Sequence, residues 1–140
     1  MGSWEKWFCP ECEKSVILPG FIDTHIHYPQ TEIVGAYGEQ LLEWLNTYTF
    51  PTESKFKDFE YSKKISKIFL NELLRAGTTT ALVFGTVHPE SIDAFFEESL
   101  DRNLRMIAGK VMMDRNCPEY LQDTPETSYT ESKALIERWH

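Results

Sequence analysis

Runs of residues typical of β-strands alternate with amphipathic stretches along this chain, and this alternation constrains its fold more than any other feature. β-branched and apolar residues predict strands at 21–27, 78–84 and 106–113. Apolar residues three and four positions apart predict helices at 39–48, 58–77, 89–100 and 130–139. A repeated strand–helix order calls for parallel strands joined by right-handed crossovers, so the predicted fold class is α/β.

Local signals predict where these helices begin and end. Phe50 and Pro51 are expected to end the first helix, and Asp58 is a favourable N-cap for the second. Gly77 follows the second helix at the position where a left-handed backbone is least costly. Pro89 is suited to the first turn of the third helix.

The chain length limits how much of a barrel these elements can form. A complete (β/α)₈ TIM barrel takes about 250 residues, so the 140 residues present account for about the first three β-α units. The alternatives are a small open α/β domain and a partial TIM barrel. Residues 1–15 show neither the apolar period of a strand nor that of a helix, and they are predicted to be an unmatched leader. Residues 16–140 are predicted to form the incomplete barrel. In a partial barrel, four apolar residues would lie under too little cover, namely Phe84, Val111, Met112 and Met113.

The charge balance and the hydropathy pattern exclude several classes of partner. Fourteen Lys and Arg against 22 Asp and Glu give a net charge of -8, without the basic stripe that nucleic-acid binding needs. No apolar window approaches the ~18 residues of a membrane span, and no signal-peptide pattern opens the sequence. We therefore expect a cytoplasmic protein that binds neither nucleic acid nor membrane.

His25 and His27 carry the strongest chemical signal, since they form an H-x-H motif at the end of the first predicted strand. The side-chain period of two sends both imidazoles to the same face. Zinc binds histidine nitrogen at about 2.0–2.1 Å and keeps a position open for water in catalytic sites. The H-x-H pattern alone is weak, but α/β folds place their active sites at the carboxyl ends of strands. The motif thus predicts a site for a divalent metal.

Residues 18–27, Leu-Pro-Gly-Phe-Ile-Asp-Thr-His-Ile-His, resemble the first-strand signature of the amidohydrolase superfamily of metal-dependent (β/α)₈-barrel hydrolases and deaminases. Further motifs narrow the resemblance to the guanine deaminases within it, and these lie at 28–30, 43–45, 49–51, 77–80 and 109–114. Members that act on other heterocycles usually carry a different residue, often Met, at the position of Gln30. The resemblance covers residues 16–140.

The resemblance implies hydrolysis of guanine to xanthine and ammonia, a step of purine catabolism, with one zinc ion in each complete active site. His25 and His27 would be two of the zinc ligands, and His27, Tyr28, Pro29 and Gln30 would bind the substrate. The Gln30 amide can both donate to and accept from the guanine edge. The remaining ligands and the proton-transfer groups of the family have no counterpart here, so no catalytic residue is assigned within the chain. We expect an inactive fragment of a longer enzyme, which would be a homodimer when complete.

Two alternatives to this interpretation stay open, a non-catalytic α/β fragment and an amidohydrolase that acts on another heterocycle. Gln30 argues against the second alternative. Other residues have simpler explanations: Cys9 and Cys12 as part of a solvated leader, His88 as a helix-start or pocket-rim residue, and Lys110 as a structural residue.

Overall fold

A three-stranded parallel sheet with the order β1-β2-β3 forms the centre of the computed structural model, which describes residues 17–38 and 40–140. The strands are β1 (Phe21–His27), β2 (Thr78–Phe84) and β3 (Arg105–Gly109). Both strand pairs are parallel, and a helical crossover joins each strand to the next. The predicted α/β class is confirmed. The predicted leader, with Cys9 and Cys12, lies outside the described residues.

Helical segments make up the connections between the strands. The crossover from β1 to β2 contains a 3₁₀ turn (Tyr28–Ile33), α1 (Leu41–Trp44), a π-helical turn (Leu45–Thr49), α2 (Phe50–Glu53), a second 3₁₀ turn (Ser54–Lys57) and α3 (Phe59–Arg75). The remaining segments are α4 (Pro89–Asp101), a 3₁₀ turn (Glu119–Leu121) and α5 (Pro125–Trp139). None of the helices in the described part of the chain is long and apolar enough to cross a membrane.

Both predicted ends of α3 are confirmed. The Asp58 carboxylate accepts a hydrogen bond from the Tyr61 backbone N–H at 2.8 Å, which satisfies one of the free donors of the first turn. Gly77 has a φ of +83°, a conformation that a residue with a Cβ adopts only with strain. These two residues fix the length of α3 and the point at which the chain enters β2.

The predicted helix end at Phe50 and Pro51 is wrong, because the chain stays helical through both residues. The Phe50 N–H donates to the Leu45 carbonyl, five residues back, so the preceding turn is already widened to π geometry. Pro51 then occupies the first turn of α2, where its missing N–H and its ring are tolerated.

The third strand is shorter than predicted, since it ends at Gly109 and not at Met113. The Lys110 side chain leaves the sheet to form an ion pair with Asp123, and the Val111 N–H donates to the Thr86 carbonyl at 2.9 Å. These contacts hold the segment after β3 against loops at the carboxyl edge of the sheet.

The last helix begins at Pro125, five residues earlier than predicted. Thr124 and Thr127 form a capping box, in which each side chain bonds to the backbone N–H of the other. This reciprocal cap supplies a start signal that the apolar pattern alone does not contain.

The main core lies between the sheet and the pair α3 and α4. Its buried members are Tyr28, Phe56, Ile65, Phe69, Leu70, Leu73, Ala81, Val83 and Phe95. A second, smaller cluster of Phe50, Val87 and Leu121 lies beyond the carboxyl ends of β2 and β3. The main core therefore covers one face of the sheet, and the second cluster packs the loops that follow the carboxyl ends of β2 and β3.

The opposite face of the sheet is poorly covered. Leu82 is 40% exposed and Ile107 is 57% exposed, although both are large apolar residues in strands. Of the four residues predicted to lack cover, Met112 is 61% exposed, and Phe84 and Val111 are partly buried. Met113 packs against the second cluster, so the prediction is wrong for this residue.

Candidate metal centre and neighbouring cleft

His25 and His27 meet at the carboxyl end of β1. Their Nε2 atoms lie 3.2 Å apart. Two ligands held at about 2.0–2.1 Å by one tetrahedral metal ion are themselves about 3.3 Å apart. The predicted convergence of the two imidazoles is therefore present, at a separation that suits two ligands of a single zinc ion.

The protonation of His27 favours metal binding. Burial lowers the pKa of this imidazole, and the neighbouring His25 lowers it further, because two positive rings at this distance would repel. A neutral imidazole has a lone pair available for a metal. The His25 backbone N–H donates to Asp23 Oδ1 at 3.0 Å, which fixes the backbone between the acidic residue and the pair.

Phe84, the last residue of β2, lies against both rings, and sequence reasoning did not include it in the site. Its ring is stacked on His27, with centroids 4.6 Å apart and planes 11° apart. The His25 ring is 4.7 Å away and tilted by 38°. The residue could have been found from the pattern, because parallel strands place their carboxyl ends side by side and His27 pairs with Phe84 in the register.

Tyr28 and Pro29 are buried, so their side chains face away from the open part of the site. The Tyr28 ring packs in the core, 5.2 Å from the rings of both Phe56 and Phe95. Its hydroxyl donates to the Ser91 carbonyl of α4 at 2.5 Å, and burial raises its pKa well above the usual range. A contact of Tyr28 with a substrate in this arrangement would have to come from its backbone.

Gln30 lines an open cleft of about 770 Å³ together with His25 and His27. Val34 and Leu73 contribute apolar wall to the same cleft. Of the residues predicted to bind substrate, the structure thus brings His27 and Gln30 to one surface beside the imidazole pair.

A polar contact fixes the turn that carries Gln30. The Tyr61 hydroxyl donates to Glu32 Oε2 at 2.5 Å, and Lys55 lies 3.4 Å from the same oxygen. The hydrogen bond from Tyr61 is the main reason that the pKa of Glu32 is lowered. The turn after β1 is therefore tied to the start of α3.

His88 and Lys110 are not part of the imidazole pair. His88 precedes α4 as its N-cap, and its Nε2 atom is buried without a hydrogen-bond partner in the described residues. Lys110 is buried and lies 2.5 Å from Asp123 and 2.9 Å from Glu131, which is the structural role that the sequence indicated. Within residues 17–38 and 40–140, no group of three or more His, Cys, Asp and Glu side chains could hold a metal ion.

Comparison with known proteins identifies the family. Residues 16–140 match the amidohydrolase family. The chain belongs to this family. Escherichia coli guanine deaminase is 69% identical over 125 residues, which cover 89% of this chain and 28% of the relative.

Solved structures agree with this family membership. E. coli guanine deaminase superposes with a TM-score of 0.84, covering 87% of this chain and 28% of that one. Guanine deaminase from C. acetobutylicum, solved with guanine bound in the active site, is 32% identical with a TM-score of 0.82, covering 94% and 33%. Atrazine chlorohydrolase from Arthrobacter aurescens, solved in complex with zinc, shares the fold at 22% identity and a TM-score of 0.71, covering 88% and 31%.

These comparisons confirm the resemblance to guanine deaminases and the predicted partial barrel. The sheet matches the N-terminal part of an amidohydrolase TIM barrel. The chain spans about three-tenths of the length of the amidohydrolases it matches.

Proposed function

We propose that residues 16–140 supply the first three β-α units of a zinc-dependent guanine deaminase. The observation that carries the proposal is the 3.2 Å separation of the two Nε2 atoms at the carboxyl end of β1. The 69% identity to the E. coli enzyme supports guanine as the substrate. The same strand end is where barrel enzymes place their catalytic groups.

The donor set fits zinc, since two imidazoles at this spacing are typical zinc ligands. The chemistry that a zinc ion would supply in a complete site is an activated water, whose pKa it would lower toward about 7. In this proposal His25 and His27 hold the metal, while the remaining ligands come from other strands of the barrel.

Gln30 would read the substrate edge. Its amide offers one acceptor and two donors, which suits a ring edge that carries both kinds of group. The Tyr28–Ser91 and Tyr61–Glu32 hydrogen bonds fix the turn that holds this residue. The amide would therefore be preorganised for substrate binding. Tyr28 and Pro29 would contribute to the pocket by shaping this turn. A homodimer of the complete protein and a cytoplasmic location stay predictions from the sequence.

A chimeric enzyme tests the proposal. In this chimera, the 125-residue segment of E. coli guanine deaminase that matches residues 16–140 is replaced by those residues. We expect the chimera to deaminate guanine and to contain about one zinc per active site. The double substitution His25→Ala/His27→Ala should remove both zinc and activity, whereas His140→Ala, a matched change at an exposed position, should remove neither.

Three results would contradict the proposal. One is a folded chimera without guanine turnover, and another is unchanged zinc content in the double variant. A third is a preference for another amino-substituted heterocycle over guanine, which would favour the alternative amidohydrolase.

A further inference from the structure

Phe84 is the one aromatic side chain that contacts both imidazoles in the described part of the chain. It stacks on His27 and makes a tilted contact with His25, with ring centroids 4.6 and 4.7 Å away respectively. Phe84 and His27 are register partners on adjacent parallel strands, so the sheet places their side chains next to each other. The contact therefore lies where the carboxyl ends of β1 and β2 meet.

Two imidazoles bind one ion only when both rings are held in a suitable orientation. Rotation of a histidine ring about χ2 is broad and only weakly restricted by rotamer preference. Metal-binding histidines are usually oriented by a hydrogen bond from the second ring nitrogen to a carboxylate or carbonyl. In residues 17–38 and 40–140, the ring nitrogens of His25 and His27 have no hydrogen-bond partner except each other. Besides this mutual contact, the Phe84 ring lies against both imidazoles and limits their rotation.

We propose that Phe84 is a positioning residue for the metal site, and that its ring holds the two imidazoles in the orientation in which both Nε2 atoms face one ion. The inference rests on the proposed role of His25 and His27 as ligands. Residue Phe84 of β2 would thus contribute to zinc binding without being a ligand itself.

Three substitutions test the inference, first in the 140-residue chain and then in the chimera. Phe84→Leu removes the aromatic ring, and Phe84→Tyr keeps it. Leu82→Ala is the control for lost packing, because Leu82 is a large apolar residue two positions earlier on the same strand and on the same face as Phe84. Zinc affinity is measured by competition with a chromophoric chelator, and Co²⁺ spectra report the ligand geometry. Circular dichroism reports the fold.

Phe84→Leu should weaken zinc binding by about tenfold or more, the loss typical of removing a group that orients a ligand. It should also change the Co²⁺ spectrum, while the circular dichroism stays unchanged. The zinc affinities of the Phe84→Tyr and Leu82→Ala variants should each lie within about threefold of the parent's affinity. In the chimera, the same order should appear in the rate at which zinc is released to a chelator.

Distinct results separate the failure of this inference from the failure of the proposed function. If the parent chimera binds zinc and Phe84→Leu retains its affinity and spectrum, Phe84 does not position the ligands. If Phe84→Tyr or Leu82→Ala loses as much affinity as Phe84→Leu, the effect belongs to general packing and the inference is overturned. If the parent chimera binds zinc no better than its His25→Ala/His27→Ala variant, the proposed ligands are wrong, and the inference falls with them. Should the 140-residue variants lose their helical signal, the chimera, whose barrel is complete, decides the matter.

Discussion

Removing the buried hydroxyl of Tyr28 should make the turn that carries Gln30 less stable without leaving a cavity in the core. Phe replaces Tyr with nearly the same shape, so the ring contacts with Phe56 and Phe95 stay, and the bond to the Ser91 carbonyl is lost. That carbonyl lies in the first turn of α4 and can still accept a helical hydrogen bond, so it is not left unpaired. A net loss of about 1 kcal/mol follows, the usual contribution of one intramolecular hydrogen bond.

Hydrogen exchange followed by mass spectrometry measures this loss locally in the chimera. A change of about 1 kcal/mol corresponds to roughly fivefold faster exchange in peptides that cover 28–33 and 89–95. Tyr129→Phe removes a hydroxyl from a side chain that is 69% exposed, and it should leave exchange unchanged. Equal exchange in the parent and the Tyr28→Phe variant would refute the view that this hydroxyl ties the turn to α4.

Four further outcomes are expected. Gln30→Ala in the chimera should lower kcat/KM by about tenfold or more, because each buried polar atom left unpaired costs about 1–3 kcal/mol. Zinc content should stay unchanged, and the control Gln40→Ala, at an exposed position, should have no effect. Loss of zinc would mean that Gln30 supports the metal instead. The 140-residue polypeptide assayed alone should not deaminate guanine, since the two imidazoles leave a catalytic zinc site incomplete, and turnover at ordinary enzyme rates would contradict this. The same polypeptide should bind hydrophobic dyes or self-associate, because Leu82, Ile107 and Met112 are exposed, and a sharp thermal transition of a monodisperse monomer would show that it closes a domain of its own. Burial raises the pKa of Glu53 from 4.5 to about 7, so the folded state holds an extra proton between these pH values and the free energy of unfolding should fall as pH rises through them. Glu53→Gln should remove this decline and raise the free energy of unfolding by up to about 3 kcal/mol above pH 7. Urea unfolding at pH 4.5 and pH 8 measures the effect, and a variant with no gain at pH 8 would contradict it.

Much of the architecture could be predicted from local signals. The caps at Asp58 and Gly77 and the apolar strand at Thr78–Phe84 depend on neighbours in sequence, and the structure confirms them. The convergence of His25 and His27 also follows from one local rule, the period of two along a strand.

Three of the errors come from contacts between residues that are not neighbours in sequence. β3 ends early because Lys110 pairs with Asp123, and no local pattern contains that partner. The burial of Tyr28 depends on α4, 63 residues away, so its motif alone could not tell a pocket residue from a core residue. Phe84 was overlooked because its role depends on strand register, which becomes visible when the ends of β1 and β2 are aligned.

The position of the metal tests the central claim most directly. Anomalous diffraction at the zinc absorption edge, from crystals of the chimera, locates the ion relative to both imidazoles. The account predicts one peak at about 2.0–2.1 Å from the Nε2 atoms of His25 and His27. A zinc peak that is bound elsewhere, or that contacts neither ring, would contradict it.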